Sequence, residues 1–336
     1  MEYKISVCVP IYNVEKYFEQ CLESLFTQTM LDGVEFVFVN DCTPDSSMEI
    51  LQRMLGKYSK IKEHIRIFTH ETNRGLAAAR NTAIENIRGE YTIHVDSDDW
   101  VEPNYLEELY KTITENNADI AICNYFSHGP KGEFGVSDFS YLELQKATAH
   151  RLINLLFNYE VIPMLWIKLV RTELYKKNKI LWIEGINKGE DMITSLKIFS
   201  FCKKCSFTKV PLYHYRCANG FTKNMPLLKN ISQDIQSVLE IERFFKEQGT
   251  YFQYEKEIIR KKACIRLAYL FANPKCSIKK YTEVFSDVPL SCLKFTSKKI
   301  SKFRELFFKI VDHKLYLFAN IYLFFYSIFR FFKRGV

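Results

Sequence analysis

Three aspartates fall within four positions in YTIHVDSDDW, Tyr91 to Trp100, directly after an apolar run. In an extended chain side chains alternate with period two, which puts Asp96 and Asp98 on one side. Two carboxylates that close repel each other and raise one another's affinity for a proton unless a cation compensates. A hard divalent ion such as Mg²⁺ or Mn²⁺ takes oxygen ligands and commonly links one or two carboxylates to substrate phosphates. The same residue types also suit a structural loop in which Asp and Ser cap the next turn. A further acid, Asp41, ends a second apolar run, Glu35 to Asn40. It can accept hydrogen bonds from a nucleoside base or ribose, or form an Asx turn into Pro44.

These acids need a frame that brings them together. The first hundred residues alternate short β-rich runs with helical patterns, the signature of a mostly parallel sheet wrapped by helices. The pattern predicts strands at Ile5 to Pro10, Glu35 to Asn40, Ile65 to Thr69 and Tyr91 to Val95. Helices are predicted between them at Val14 to Thr27, Ser46 to Tyr58 and Leu76 to Asn86, with Ser46 as an N-cap. In such α/β sheets ligands bind beyond the carboxyl ends of the strands. That rule selects the loops Pro10 to Asn13, Asp41 to Asp45 and Asp96 to Trp100, two of them rich in carboxylates. Further on, helices are expected at Tyr105 to Asn116, Thr148 to Phe157 and Asp191 to Phe201, and a strand at Ile120 to Asn124. Gly129 to Ser140 reads as a polar loop able to cover a site, and Ser232 to Asn273 as helical throughout.

The ordered set SVCVPIYN, VNDCTPDSS, NRGLAAARN and DSDD, followed by WIKLVR (Trp166 to Arg171) and GEDM (Gly189 to Met192), resembles family 2 glycosyltransferases of the GT-A fold. The resemblance runs roughly from Ile5 to Arg216 and is nearest to bacterial enzymes that build capsular or lipopolysaccharide sugars. It implies that Pro10, Ile11 and Tyr12, together with Asp41, hold the nucleoside, usually uridine. It implies that Asn73, Arg80 and Ser97 lie near the nucleotide sugar and Asp96 near the ribose or metal. Asp98 would ligate a Mn²⁺ or Mg²⁺ ion holding the diphosphate, and Asp191 would be the base. One departure stands out. The family's acid loop often reads Asp-Asp-Gly-Ser, and here Asn40, Asp41, Cys42 and Thr43 occupy those places, with Cys42 where glycine is usual.

Sugar transfer with inversion needs a base to take the acceptor hydroxyl's proton as it attacks C1, while the nucleoside diphosphate leaves from the opposite face. A tight metal ligand cannot serve as that base, so the base comes from elsewhere, and Glu190 and Asp191 both qualify. Asp191 is preferred on resemblance alone; the alternative is that it caps the helix it begins. Trp166, Lys168 and the run Tyr213, His214, Tyr215, Arg216 have the chemistry of an acceptor or phosphate side, since rings stack on sugars and cations neutralise phosphates. Amphipathic packing is the competing explanation.

Composition bounds the rest. The 336 residues have a formal charge of +8. From Lys294 onward there are ten Lys or Arg against two acids, which leaves 37 bases and 37 acids before it. The basicity therefore belongs to a tail, and nucleic acid is not an expected partner of the site. Ten cysteines without short, even spacing argue for a reducing compartment. Cys202 and Cys205, the one close pair, read as ordinary thiols. Met1 to Lys4 run straight into a strand without a signal-peptide core, so the catalytic part is expected in the cytoplasm. The expected organisation is a catalytic domain over 1–216 (nucleotide half 1–100, acceptor half 101–216), a helical extension over 217–293 and an amphipathic, aromatic tail over 294–336. That tail suits an anionic membrane surface at the inner face of the cell membrane. Its uninterrupted apolar stretch, Leu315 to Phe329, is shorter than the ~20 residues a spanning helix needs. The expected partners are a nucleotide-sugar donor and a lipid-linked or glycan acceptor. The rival classes are a sugar-nucleotide-binding protein without turnover and a nucleotidyltransferase. The latter usually needs a glycine-rich, basic phosphate loop near its N-terminus, and Ser6 to Asn13 contain neither Gly nor Lys.

Overall fold

Apolar runs rich in β-branched and aromatic residues build the first strands: β1 (Ile5–Ile11), β2 (Val34–Asn40), β3 (Ile65–Thr69) and β4 (Tyr91–His94). The computed structural model describes residues 3–129, 132, 134–136, 147–217, 227–272 and 284–289. Helices α1 (Phe18–Phe26), α2 (Ser47–Lys57) and α3 (Leu76–Asn86) connect the four strands. β1 lies between β2 and β4, β3 flanks β2, and all four run parallel. Every residue of β1 is buried, as a strand covered on both faces requires. Because the strands are parallel, the loops after β1, β2 and β4 gather at one edge; Ile11 pairs with Asn40, and Cys8 with His94.

Two local expectations need correction. Helix α1 starts at Phe18, since residues 15–17 form a turn. Ser46 makes no side-chain cap. Asp45 does that work instead: its Oδ1 accepts from Ser47 N (3.2 Å), Ser47 Oγ (2.7 Å) and Thr43 Oγ1 (2.7 Å). A carboxylate reaches the amide at the start of α2 and favours its positive end.

Beyond Trp100 the sheet continues through β5 (Trp100–Val101), α4 (Tyr105–Glu115), β6 (Ile120–His128), β7 (Phe134–Val136) and α5 (Ala149–Phe157). It is completed by β8 (Lys168–Arg171), α6 (Thr172–Lys177), α7 (Glu190–Phe201) and β9 (Cys205–Arg216). The strand order is β3-β2-β1-β4-β8-β6-β9-β5, with β7 paired to β6. β8 is antiparallel to both β4 and β6, and β9 is parallel to β6. It follows that β6 and β9 run with β4, and that their C-terminal ends reach the edge where the loops after β1, β2 and β4 lie. Part of the expected covering loop, Phe134–Val136, is instead a strand of a hairpin with β6. Residues 130, 131, 133 and 137–140 of that loop lie outside the described residues.

The chain divides into two compact units, Met1–Asn224 and Met225–Val336. In the second, α8 (Leu227–Glu247) and α9 (Tyr251–Ala272) meet through Phe245 and Tyr254, with ring centroids 4.5 Å apart, and through a Lys262–Glu242 ion pair of 2.7 Å. Gly249, at φ +65°, breaks the helical stretch between them. The tail over 294–336 lies outside the described residues. Among the described residues no helix is long and apolar enough to cross a membrane.

Candidate active site

Strand β4 ends at His94, and the chain then turns, with Asp99 N donating to Asp96 O at 3.1 Å. Asp96 to Asp98 lie in the expected loop but are turned and not extended, so the period-two argument for their side chains does not hold. Burial still alternates: Ser97 and Asp99 are buried, whereas Asp96 and Asp98 are half-buried. Asp99 is the anchor of the turn. Its Oδ2 accepts from Tyr213 Oη (2.8 Å) and its Oδ1 from Arg216 N (2.7 Å). The Tyr213 hydroxyl in turn accepts from Asp96 N (3.2 Å), and Arg216 Nε donates to Asp98 O (2.9 Å). The end of β9 thus clamps the acidic turn across the edge of the sheet.

Asp98 is left open. Among the described residues its carboxylate takes a hydrogen bond from its own backbone only, and burial, then Asp96, push its pKa up to about 6 against the pull of Arg216. An oxygen ligand of this kind, beside a second carboxylate and with its charge only partly offset by Arg216, fits a hard divalent cation. Among the described residues no set of three or more His, Cys, Asp or Glu is arranged to hold a metal. Asp98 and Asp96 would therefore be the protein ligands, with phosphate and water oxygens completing the shell, as Mg²⁺ sites often do.

Arg80 joins this turn to the other acids. It sits on α3, whose alanines Ala77, Ala78, Ala79 and Ala83 are buried and let the helix pack closely, and its own side chain is only 2% exposed. Nη2 donates to Asp96 Oδ1 at 2.9 Å and Nη1 to Asp191 Oδ1 at 2.6 Å. Burial opposes the charge, but Asp191, Asp96 and Glu190 outweigh it and keep the guanidinium protonated. Asp191 does not cap α7. Gly189, at φ +82°, precedes that helix without a side-chain cap, and the Asp191 carboxylate points at Arg80 instead. Trp182 Nε1 donates to the same Oδ1 at 3.5 Å. Burial raises the pKa of both Asp191 and Glu190, with Arg80 opposing in each case and Asp191 adding to the rise at Glu190.

The other residues singled out in the sequence divide into open and occupied. Pro10 and Ile11 are buried at the end of β1, while Tyr12 is 47% exposed at the edge. Asn73 is exposed, with Nδ2 donating to Asp41 O at 3.4 Å. Asp41 itself is buried and saturated: Oδ1 accepts from Arg74 N (2.8 Å) and pairs with His70 Nδ1 (2.6 Å), and Oδ2 accepts from Gly75 N (2.7 Å). Its carboxylate shapes the loop before α3. Cys42 adopts φ +56°, the left-handed conformation that explains why glycine suits this position. Trp166 and Lys168 are buried, which removes both from direct contact with an acceptor. Trp166 stacks on Tyr213 with centroids 4.2 Å apart. His214 bonds to Glu102 Oε1 through Nε2 (2.7 Å) and to His128 Nε2 through Nδ1 (2.9 Å), and it stacks on Trp100. Sequence patterns do not single out Trp182, His70 or the clamping geometry of Tyr213, because each depends on contacts between residues far apart in the chain.

Residues 6–178 match the family described as Glycosyl transferase family 2. The chain belongs to this family. EpsH of Bacillus subtilis (strain 168) is 32% identical over 267 residues, which cover 76% of this chain and 75% of EpsH. The poly(ribitol-phosphate) beta-N-acetylglucosaminyltransferase TarS of Staphylococcus aureus (strain Mu50 / ATCC 700699) is 30% identical over 63% of this chain and 35% of TarS. The crystal structure of S. aureus TarS 1–349 with UDP-GlcNAc superposes with a TM-score of 0.55 at 21% identity, covering 84% of this chain and 86% of that one. The Pyrobaculum calidifontis mannosyltransferase PcManGT, solved with GDP-Man and Mn²⁺, superposes with a TM-score of 0.56 at 15% identity, covering 98% and 87%. The fold of this family 2 glycosyltransferase is GT-A.

Proposed function

We propose that this glycosyltransferase is an inverting enzyme. It would move a hexose or N-acetylhexosamine from a UDP-sugar to a hydroxyl of a lipid-linked or polysaccharide acceptor, assisted by Mn²⁺ or Mg²⁺. One observation carries the reading: a single buried guanidinium, Arg80, holds the donor-side acid Asp96 and the separate acid Asp191 at the same time. The similarity to TarS, which binds UDP-GlcNAc in its structure, supports a uridine nucleotide.

Pro10, Ile11, Tyr12 and Asn73 form the nucleoside end, with Asp41 acting through the loop it shapes, and Ser97 and Asp96 stand beside the sugar diphosphate. A divalent ion on Asp98 and Asp96, when bound, neutralises charge growing on the leaving diphosphate. At the reacting centre the acceptor oxygen bonds to C1 as the bond from C1 to the diphosphate oxygen breaks. The acceptor's proton passes to Asp191. Arg80 and Trp182 occupy Oδ1, so Oδ2 receives that proton. Separating base from metal ligands matters because a metal ion coordinated to the base would hold the oxygen that has to take the proton, whereas Arg80 engages Oδ1 alone. The basic aromatic composition of residues 294–336 supports attachment to an anionic membrane surface at the cytoplasmic face.

Asp191→Asn should keep nucleotide-sugar binding and lose transfer; unchanged transfer would move the base to Glu190. Because burial raises both carboxylates, the base takes up its own proton as pH falls through a range above that of ordinary carboxylates. Transfer should therefore decline on the acid side there, which a pH–rate profile measures. Failure to bind any member of a nucleotide-sugar panel, with or without Mn²⁺, would sink the reading as a whole.

A further inference from the structure

Lys168 opens β8, where it pairs with Ile122 of β6, and it has no exposure to solvent. Its Nζ donates to Ile162 O (2.7 Å) and Met164 O (2.6 Å). Among the described residues no carboxylate lies within ion-pair distance of it. Two carbonyls take two of its three hydrogens without cancelling its charge, so an ammonium here is expensive to bury. The carbonyl between those two, Pro163 O, accepts from Ser195 Oγ of α7. Ser195 stands four residues after Asp191, on the same face of that helix. Segment 162–164 is thus tied to β8 on one side and to the helix bearing Asp191 on the other.

We propose that Lys168 is a positioning residue for the base: its ammonium pins segment 162–164 against the first turns of α7 and supplies a buried positive charge that favours ionised Asp191. The proposal rests on the reading of Asp191 as base. The groups acting on Asp191 are Arg80 from α3, Asp96 from the acidic turn, Trp182 from the preceding loop, Tyr175 from α6, Glu190 beside it and Lys168 from β8. Lys168 in turn faces Asp191, Cys123 of β6 and Cys205 of β9. Burial pulls its pKa down to about 7, with Asp191 opposing. The lysine therefore carries its charge on the acid side, where Asp191 has to resist protonation.

Lys168→Gln keeps N–H donors for the two carbonyls and removes the charge. In full-length enzyme, with donor KM and thermal melting measured alongside, its acid limb of kcat should move to higher pH by about one unit. That is about tenfold in rate on the acid side. Donor KM should stay as in the parent enzyme, and Lys168→Arg should return the limb toward its original position. A folded Lys168→Gln enzyme whose limb stays in place overturns the electrostatic role. Ser195→Ala tests the tether even if Lys168→Gln does not fold: kcat should fall severalfold at all pH values, and an unchanged kcat overturns the positioning role. Asp191→Asn separates the two failures. If that variant still transfers sugar, the base reading has failed; if it is inactive and the limb of Lys168→Gln has not moved, only this inference has.

Discussion

The loop after β2 and the turn after β4 leave the same edge of the sheet, and each offers an aspartate with a different fate. Asp41 accepts from two backbone amides and pairs with a histidine, so both of its oxygens are engaged. Among the described residues Asp98 has only its own backbone amide as donor, and it lies beside Asp96. A place at the carboxyl edge does not by itself make an acid available to a ligand; the number of donors already on it does. Buried polar groups are normally satisfied, so a satisfied carboxylate is explained by the loop it holds. An open one beside another negative charge opposes the fold and calls for a ligand.

Exchanging each carboxylate for an amide tests the contrast. Asp98→Asn should lower transfer by on the order of 10²- to 10³-fold, the scale of losing a preorganised electrostatic contact in an active site. Its melting temperature should be equal to or above that of the parent enzyme, since a half-buried charge crowded by Asp96 is removed. Asp41→Asn should do the reverse, costing about 1.5–3 kcal/mol in denaturant unfolding, because an amide cannot accept on both sides as the carboxylate does. Its effect on transfer should be the smaller one. A stable Asp41→Asn protein, or an unstable Asp98→Asn protein, would break the comparison.

The first hundred residues of the fold were readable in the sequence because their signals are local. Ile65 to Thr69 and Leu76 to Asn86 match β3 and α3 at both ends, since turn residues bracket clean strand and helix patterns. Strands β8 and β9 escape such reading. β8 is four residues long and opens with a lysine, and β9 carries Lys209 and Pro211 where its pairing with β6 shifts register. Both depend on partners distant in sequence. In the site, the residue types of Asp96, Asp98, Arg80 and Asp191 and their order in the chain were visible. That Asp96 and Asp191 share one guanidinium was not, because it joins positions 80, 96 and 191 through the fold. Lys168 is the clearest case of chemistry read by type alone. A cation expected on the acceptor side is fully buried, because β8 lies between β4 and β6 inside the sheet.

In the proposed reaction the open carboxylate of Asp98 couples the donor to a divalent cation. Calorimetric titration of the parent enzyme and Asp98→Asn with a UDP-sugar, each with and without Mn²⁺, measures that coupling directly. Mn²⁺ should tighten donor binding in the parent enzyme and do so weakly or not at all in the variant. Equal donor affinity in the parent enzyme with and without metal would contradict it.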